Sequence, residues 1–260
     1  MPSDVPLLGD TVSEWNKNAE ARHKQISSEI DISYHKILIP TMMRLVGDIA
    51  NKRVIDVGCG SGYLTAELAR KGSLVLGVDP SKEMIRIAKR EYGNLPRLKF
   101  INRSIEDFSS HYSGTGFDIA VSNMSLITIA NLEEALRAIS SVLLPKGIFA
   151  FNITHPCFYN HYRKYQSAGT FQYHISHAQK GSFIISNDPG GLPSPTTHFH
   201  RPLQEYFRSL KAASFAIDEL IEPFPTPDVQ KLYPKPWKVP HFLSVRCIKI
   251  HPADKQKSAQ

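Results

Sequence analysis

The sequence predicts an α/β protein: a three-layer sandwich with a mostly parallel seven-stranded sheet, an antiparallel C-terminal strand, N-terminal helices and a lid insertion. Three observations carry this. Strand-like apolar runs alternate with helical patterns through about a hundred residues, and parallel neighbours need helical crossovers of that kind. The first run, Val54-Ile55-Asp56-Val57, ends in Gly58-Cys59-Gly60-Ser61-Gly62, a strand-to-helix turn whose glycines accept positive φ and let backbone approach a ligand. The last two strand-like runs follow one another without a helical crossover, which makes an antiparallel pair at the end of the sheet.

Taken in order, residues 1–10 read as a loose terminus and residues 1–50 as an N-terminal helical segment. Tyr34, Ile37, Leu38, Met42, Leu45, Val46 and Ile49 recur at helical spacing, with a break expected at Pro40, where a second helix starts. Helices placed before the first strand pack outside the sheet or lie over the ligand mouth, so Trp15, Arg22, Tyr34 and His35 are possible lid residues beside their plainer role as packing or solvated face. The core spans residues 51–154. After the glycine turn, Leu64 and Leu68 mark a helix that Lys71-Gly72 ends, with a cation and a glycine as helix ends prefer. Leu74 to Asp79 is the second strand and Pro80-Ser81 opens the next helix, which carries Met84, Ile85 and Ala88. Leu98 to Asn102 and Phe117 to Asn123 are strands three and four. A helix carrying Leu132, Leu136, Ile139 and Leu143 follows, then a turn at Leu144-Pro145-Lys146-Gly147 and strand five from Ile148 to Thr154.

Residues 155–199 break the alternation. Phe158, Tyr159, Tyr162, Tyr165, Phe171 and Tyr173 are too many aromatics for a solvated linker, and a long insertion in one domain reads as a lid over a substrate. Residues 200–250 return to order, with a helical face at Leu203, Tyr206, Phe207 and Leu210, a strand from Phe215 to Glu222, a loop with six prolines and a last strand from Phe242 to Ile250. Residues 251–260 read as a flexible polar tail. The whole is one domain, without an internal repeat.

Composition narrows the function. With 42% hydrophobic residues in 260 and no apolar run approaching a membrane span, the expectation is a globular protein without a membrane partner, cytoplasmic in location. Three scattered cysteines make neither a disulfide framework nor a metal site, and no metal is expected. The net charge of +7 raises nucleic acid as a partner, but the Lys and Arg residues are dispersed and lack interleaved aromatics, so nucleic acid is disfavoured.

The glycine turn is discriminating. A dinucleotide-binding turn uses G-x-G-x-x-G, whereas this one is G-x-G-x-G and has Asp56 inside the strand, where a pyrophosphate would meet negative charge. An acid there suits a cationic ammonium group. Asp79, at the end of strand two, is placed to accept from both hydroxyls of a ribose. The ligand carries a ribose and a positive charge.

These stretches, Val54 to Gly62 and Gly77-Val78-Asp79-Pro80-Ser81, resemble the class I S-adenosylmethionine (SAM)-dependent methyltransferases, and later segments resemble their small-molecule branch. The resemblance implies a Rossmann-like fold and SAM as cofactor, with S-adenosylhomocysteine (SAH) as product. It implies cofactor contacts at Asp56, Gly58, Cys59, Gly60, Gly62, Asp79, Pro80 and Met84, adenine contacts at Ser104 and Ile105, and a border on the methionyl group at Asn123 and Met124. Ser104 stands where the family more often has Asp. The expected acceptor is a small aromatic or amphipathic metabolite methylated at N, O or C. An RNA acceptor, nicotinamide-dependent redox chemistry and SAM binding without catalysis are the alternatives. Methyl transfer is governed by alignment, and a base assists when the acceptor must lose a proton. His155, directly after strand five, and His200 are the candidate bases, while Tyr34, His35, Tyr159 and Tyr162 are candidate substrate contacts.

Overall fold

Along the chain, helix α1 (Leu8–Ser27) is followed by a π-helical turn at Tyr34–Leu38 that runs without a break into α2 (Ile39–Val46). Strand β1 (Arg53–Val57) leads to α3 (Tyr63–Arg70), β2 (Leu74–Asp79) to α4 (Lys82–Tyr92), β3 (Leu98–Asn102) to α5 (Ile105–His111), and β4 (Phe117–Asn123) to α6 (Leu132–Val142). Then come β5 (Leu143–Thr154), the short α7 (Tyr159–Arg163), β6 (His177–Gly181), β7 (Thr196–His200), α8 (Leu203–Ala212), β8 (Phe215–Ile221), α9 (Pro227–Gln230) and β9 (Phe242–Lys249). This computed structural model describes residues 8–163 and 171–250. The expectations for residues 1–7, Tyr165 and the tail at 251–260 lie outside the described residues.

The sheet has seven strands in the order β3-β2-β1-β4-β5-β9-β8. Strands β1 to β5 pair in parallel, and β9 runs antiparallel to both β5 and β8. From β1 the chain builds outward on one side through β2 and β3, then crosses back to β4 on the other. The order therefore reverses between β1 and β4, and a crevice opens at the C-terminal ends of these two strands.

Alternation along β1 feeds two cores. Ile55 and Val57 pack with Phe149, Phe151, Leu136 and Ile139 on one face, while Val54 packs with Leu64, Leu68, Val121 and Ala150 on the other. Helix α1 lies outside this frame on α4, where Trp15 and Ala19 meet Met84 and Ile87. Among the described residues, no helix is long and apolar enough to cross a membrane.

Three expectations need correction. At Pro40 the chain does not break. Pro40 has no N–H to give, and the π-helical turn before it, in which the Ile39 amide donates to Tyr34 O, widens the helix where the proline ring would otherwise meet the preceding turn. The expected turn at Leu144 to Gly147 is part of β5. Lys146 adopts φ 62° and the pairing with β4 shifts between Phe117 and Ile119, so a bulge absorbs the segment. The insertion contains regular structure: β6 and β7 form a separate antiparallel ribbon that continues to His200. Its cover comes from α1, since Glu14 accepts from Thr197 N and Oγ1, Asn18 exchanges two hydrogen bonds with the Ser194 backbone, and Gln25 donates to Asp188.

Candidate active site

At the end of β1 the chain turns through Gly58, Gly60 and Gly62, with φ of 71°, 53° and 86°. The Gly58 and Cys59 amides donate to Val78 O, which lashes the turn to β2. Gly58 is required by close approach: a Cβ on it would sit 2.0 Å from Ser125 Oγ. Gly60 differs, because a Cβ there would have only Met84 Sδ near it, at 3.9 Å, and would project into the space the turn borders. That space is a cavity of ≈ 910 Å³ at the switch point.

Ten of the expected cofactor residues line it: Gly58, Cys59, Gly60, Asp79, Pro80, Met84, Ser104, Ile105, Asn123 and Met124. Asp79 Oδ2 accepts from Gly60 N at 2.9 Å and Oδ1 from Ser81 N at 2.8 Å. Burial pushes its carboxyl up to about 6, against the downward pull of those amides. Ser104 also caps α5 by accepting from Asp107 N. Met124 takes a left-handed φ of 62° immediately after β4, uncommon for a side chain of its size, with its amide held by Asn152 O.

Asp56 and Gly62 stand away from the cavity wall, contrary to expectation. Alternation turns Asp56 under the loop, where it accepts from Thr65 Oγ1 at 2.7 Å; burial drives its carboxyl up to about 7. It ties the turn to α3 and does not reach the cavity as a partner for ammonium. Gly62 makes room for Phe100, whose ring would lie 2.7 Å from an added Cβ.

The opposite wall is aromatic. Tyr159 and Tyr162 line the cavity there, while Tyr34 lines it close to Asn123 and Tyr63, beside the glycine turn. Tyr159 stacks on His198 with centroids 4.2 Å apart, Tyr162 stacks on His241 at 3.9 Å, and His241 stacks on Trp237 at 3.7 Å. Trp15 and Arg22 also reach the cavity from α1, and Arg22 donates to Asp31 at 2.6 Å. His198, Trp237 and His241 are residues that sequence reasoning missed. The available signal was Tyr233-Pro234-Lys235-Pro236-Trp237, two large aromatics held in a proline-stiffened loop just before a strand.

Neither candidate base reaches the cavity wall. His155 is buried with Nε2 2.7 Å from Glu222 Oε1, while Nδ1 accepts from Cys157 N, so both ring nitrogens serve the turn after β5. Burial lowers its pKa, with Glu222 pulling the other way. His200 is buried at the end of β7, its Nε2 2.8 Å from Tyr173 O. His35 is likewise engaged elsewhere, with Nε2 2.8 Å from Ile26 O and its ring against Tyr63. Among the described residues no group of three or more His, Cys, Asp or Glu side chains is arranged to hold a metal.

A seven-stranded, mostly parallel sheet with a glycine turn, a ribose-ready acid on the next strand and a covered cavity defines a nucleotide-cofactor enzyme of the Rossmann-like class. The sequence profile described as "Methyltransferase domain" matches residues 49–187. The chain belongs to this family, the class I SAM-dependent methyltransferases. It is 32% identical over 142 residues to the probable S-adenosylmethionine-dependent methyltransferase CRG1 of Saccharomyces cerevisiae, covering 54% of this chain and 47% of that one. It is 24% identical over 155 residues to the ubiquinone biosynthesis O-methyltransferase of Vibrio campbellii, covering 58% and 62%. The chain thus matches less than two thirds of the length of either relative. In fold it is similar to the SAM-dependent methyltransferase structure from Mesorhizobium loti, with a TM-score of 0.62, 22% identity, and coverage of 80% of this chain and 96% of that one.

SAM is the family's cofactor, and the residues present fit it. Gly60 leaves a cradle that a Cβ would fill, and the Asp79 carboxylate is buried at the end of β2.

Proposed function

We propose that the protein transfers the methyl group of SAM to N, O or C of a small aromatic or amphipathic metabolite. One observation carries the reading: a single cavity joins the glycine turn and Asp79 to the aromatics Tyr34, Tyr159, Tyr162 and Trp237. Asp79 would hold the ribose, the Gly58 to Ser61 backbone the amino-acid part, and Ser104 and Ile105 the adenine. When bound, SAM supplies a methyl carbon on a sulfonium, which an acceptor lone pair attacks as the carbon–sulfur pair withdraws to sulfur.

The chain's own contribution is placement and exclusion of water. The ribbon and the proline loop contribute to the cavity lining, and Met124 packs with Tyr233, Trp237 and Phe242, so the acceptor is held in line within a largely enclosed site. If the acceptor must lose a proton, His161, His198 and His241 are the imidazoles lining the cavity, in place of His155 and His200. Isothermal calorimetry with SAM and SAH tests the cofactor half, and methyl transfer from labelled SAM across a panel of phenols, heterocycles and amines tests the acceptor half. Absence of SAH binding by folded protein would refute the reading.

A further inference from the structure

The charges lining the cavity are unequally matched. Of its carboxylates, Asp79 is held by two amides, Asp31 accepts from Arg22, and Glu106 is in the first turn of α5. Lys235 and Lys238, both exposed, line the cavity without an ion-pair partner among the described residues, and the imidazoles of His161, His198 and His241 line it too.

A flat aromatic stack belongs to the same cavity. His241 is sandwiched, with Trp237 on one side at an interplanar angle of 20° and Tyr162 on the other at 15°. Stacked rings favour a planar ligand. Unpaired ammonium groups in the same cavity attract anions and disfavour an ammonium ligand.

Resting on the methyltransferase reading, we propose that the acceptor is a planar aromatic acid. Its ring packs against the Trp237, His241 and Tyr162 stack, and its acidic group is directed to Lys235 and Lys238. The proposal selects among the aromatic, amphipathic and amine acceptors that the general reading allows, by the sign of the charge they carry.

The test is calorimetry of the full chain with three probes of one ring system, 2-naphthoate, 2-naphthylmethanol and 2-naphthylmethylamine, each with and without SAH. The acid is expected to bind tightest and the amine weakest, with about tenfold between them, weakening with salt as exposed charges are screened. In Lys235→Glu/Lys238→Glu the preference for the acid is expected to vanish or reverse, with SAH titration as the control for folding. The milder Lys235→Met/Lys238→Met pair should erase the preference without reversing it. An amine that binds as tightly as the acid, a preference unchanged in both variants, or no binding of any probe to protein that binds SAH would overturn the inference and leave the methyltransferase reading standing. Failure of SAH itself to bind would bring down the underlying reading.

Discussion

On the glycine-turn wall, each residue is delivered by the strand just before it: Gly58 and Gly60 by β1, Asp79 by β2, Ser104 by β3, and Asn123 and Met124 by β4. On the aromatic wall, Tyr159, His198 and Trp237 arrive from three segments far apart in the chain. Their positions depend on ring stacking and on the hydrogen bonds that fasten the ribbon to α1. The first wall is an extension of the sheet, stiff and local in origin. The second is assembled by side chains, so it can vary while the cofactor half persists, which suits a family that keeps one methyl donor and changes its acceptors.

Substitutions on the two walls should separate these roles. The largest effect is expected from Gly58→Ala, where a left-handed φ and a Cβ 2.0 Å from Ser125 Oγ both oppose the side chain. It should cost about 3 kcal/mol in urea denaturation. Asp79→Ala should weaken SAH binding by about 1 to 3 kcal/mol in calorimetry, by removing an acceptor from the ribose site. Trp237→Ala should leave SAH affinity near wild type while raising the acceptor KM, with a loss of about 1 to 2 kcal/mol measured by steady-state kinetics. A matching loss of SAH affinity would show that the walls are not independent. His155→Ala should lower stability by about 1 kcal/mol through its bonds to Glu222 and Cys157, with little change in turnover per folded molecule.

Acidity provides a further way to separate stability from binding. Burial holds Asp56 near 7 and Asp79 near 6, both above their ordinary 3.8, so the folded protein keeps protons that the unfolded chain releases. Their contribution to stability is full below pH 3.8 and is lost as the pH rises through about 6 and about 7. SAH affinity should run the other way, rising as Asp79 becomes a carboxylate able to accept from ribose. Thermal unfolding and SAH titration over the same pH series check both slopes.

Much of the core was legible because its signals are short-range. Near-continuous apolar runs placed β1, β2 and β4, Ser81 announced α4, and the glycine spacing spoke against a dinucleotide. Asp79, which ends a parallel strand, lines the cavity, whereas Asp56 lies beneath the turn, because one residue of alternation turns a strand side chain to the other face. His155 misled for a related reason. A residue just after a strand is near the crevice, but its ring direction depends on partners such as Glu222, 67 positions away.

The sequence by itself determined the sheet and the crevice at its strand ends, which follow from hydrophobic runs and from the backbone freedom of glycine at fixed spacing, while the cofactor came from the resemblance of those stretches to a known family. Only the tertiary structure decided which aromatics face the acceptor. Trp237, His241 and Tyr162 meet through a stack that no local pattern encodes, and the ribbon bearing His198 has its place because Glu14, Asn18 and Gln25 on one helix hold it there. Contacts between segments so far apart are set by the packed chain, where side-chain direction and closure of long loops are resolved together.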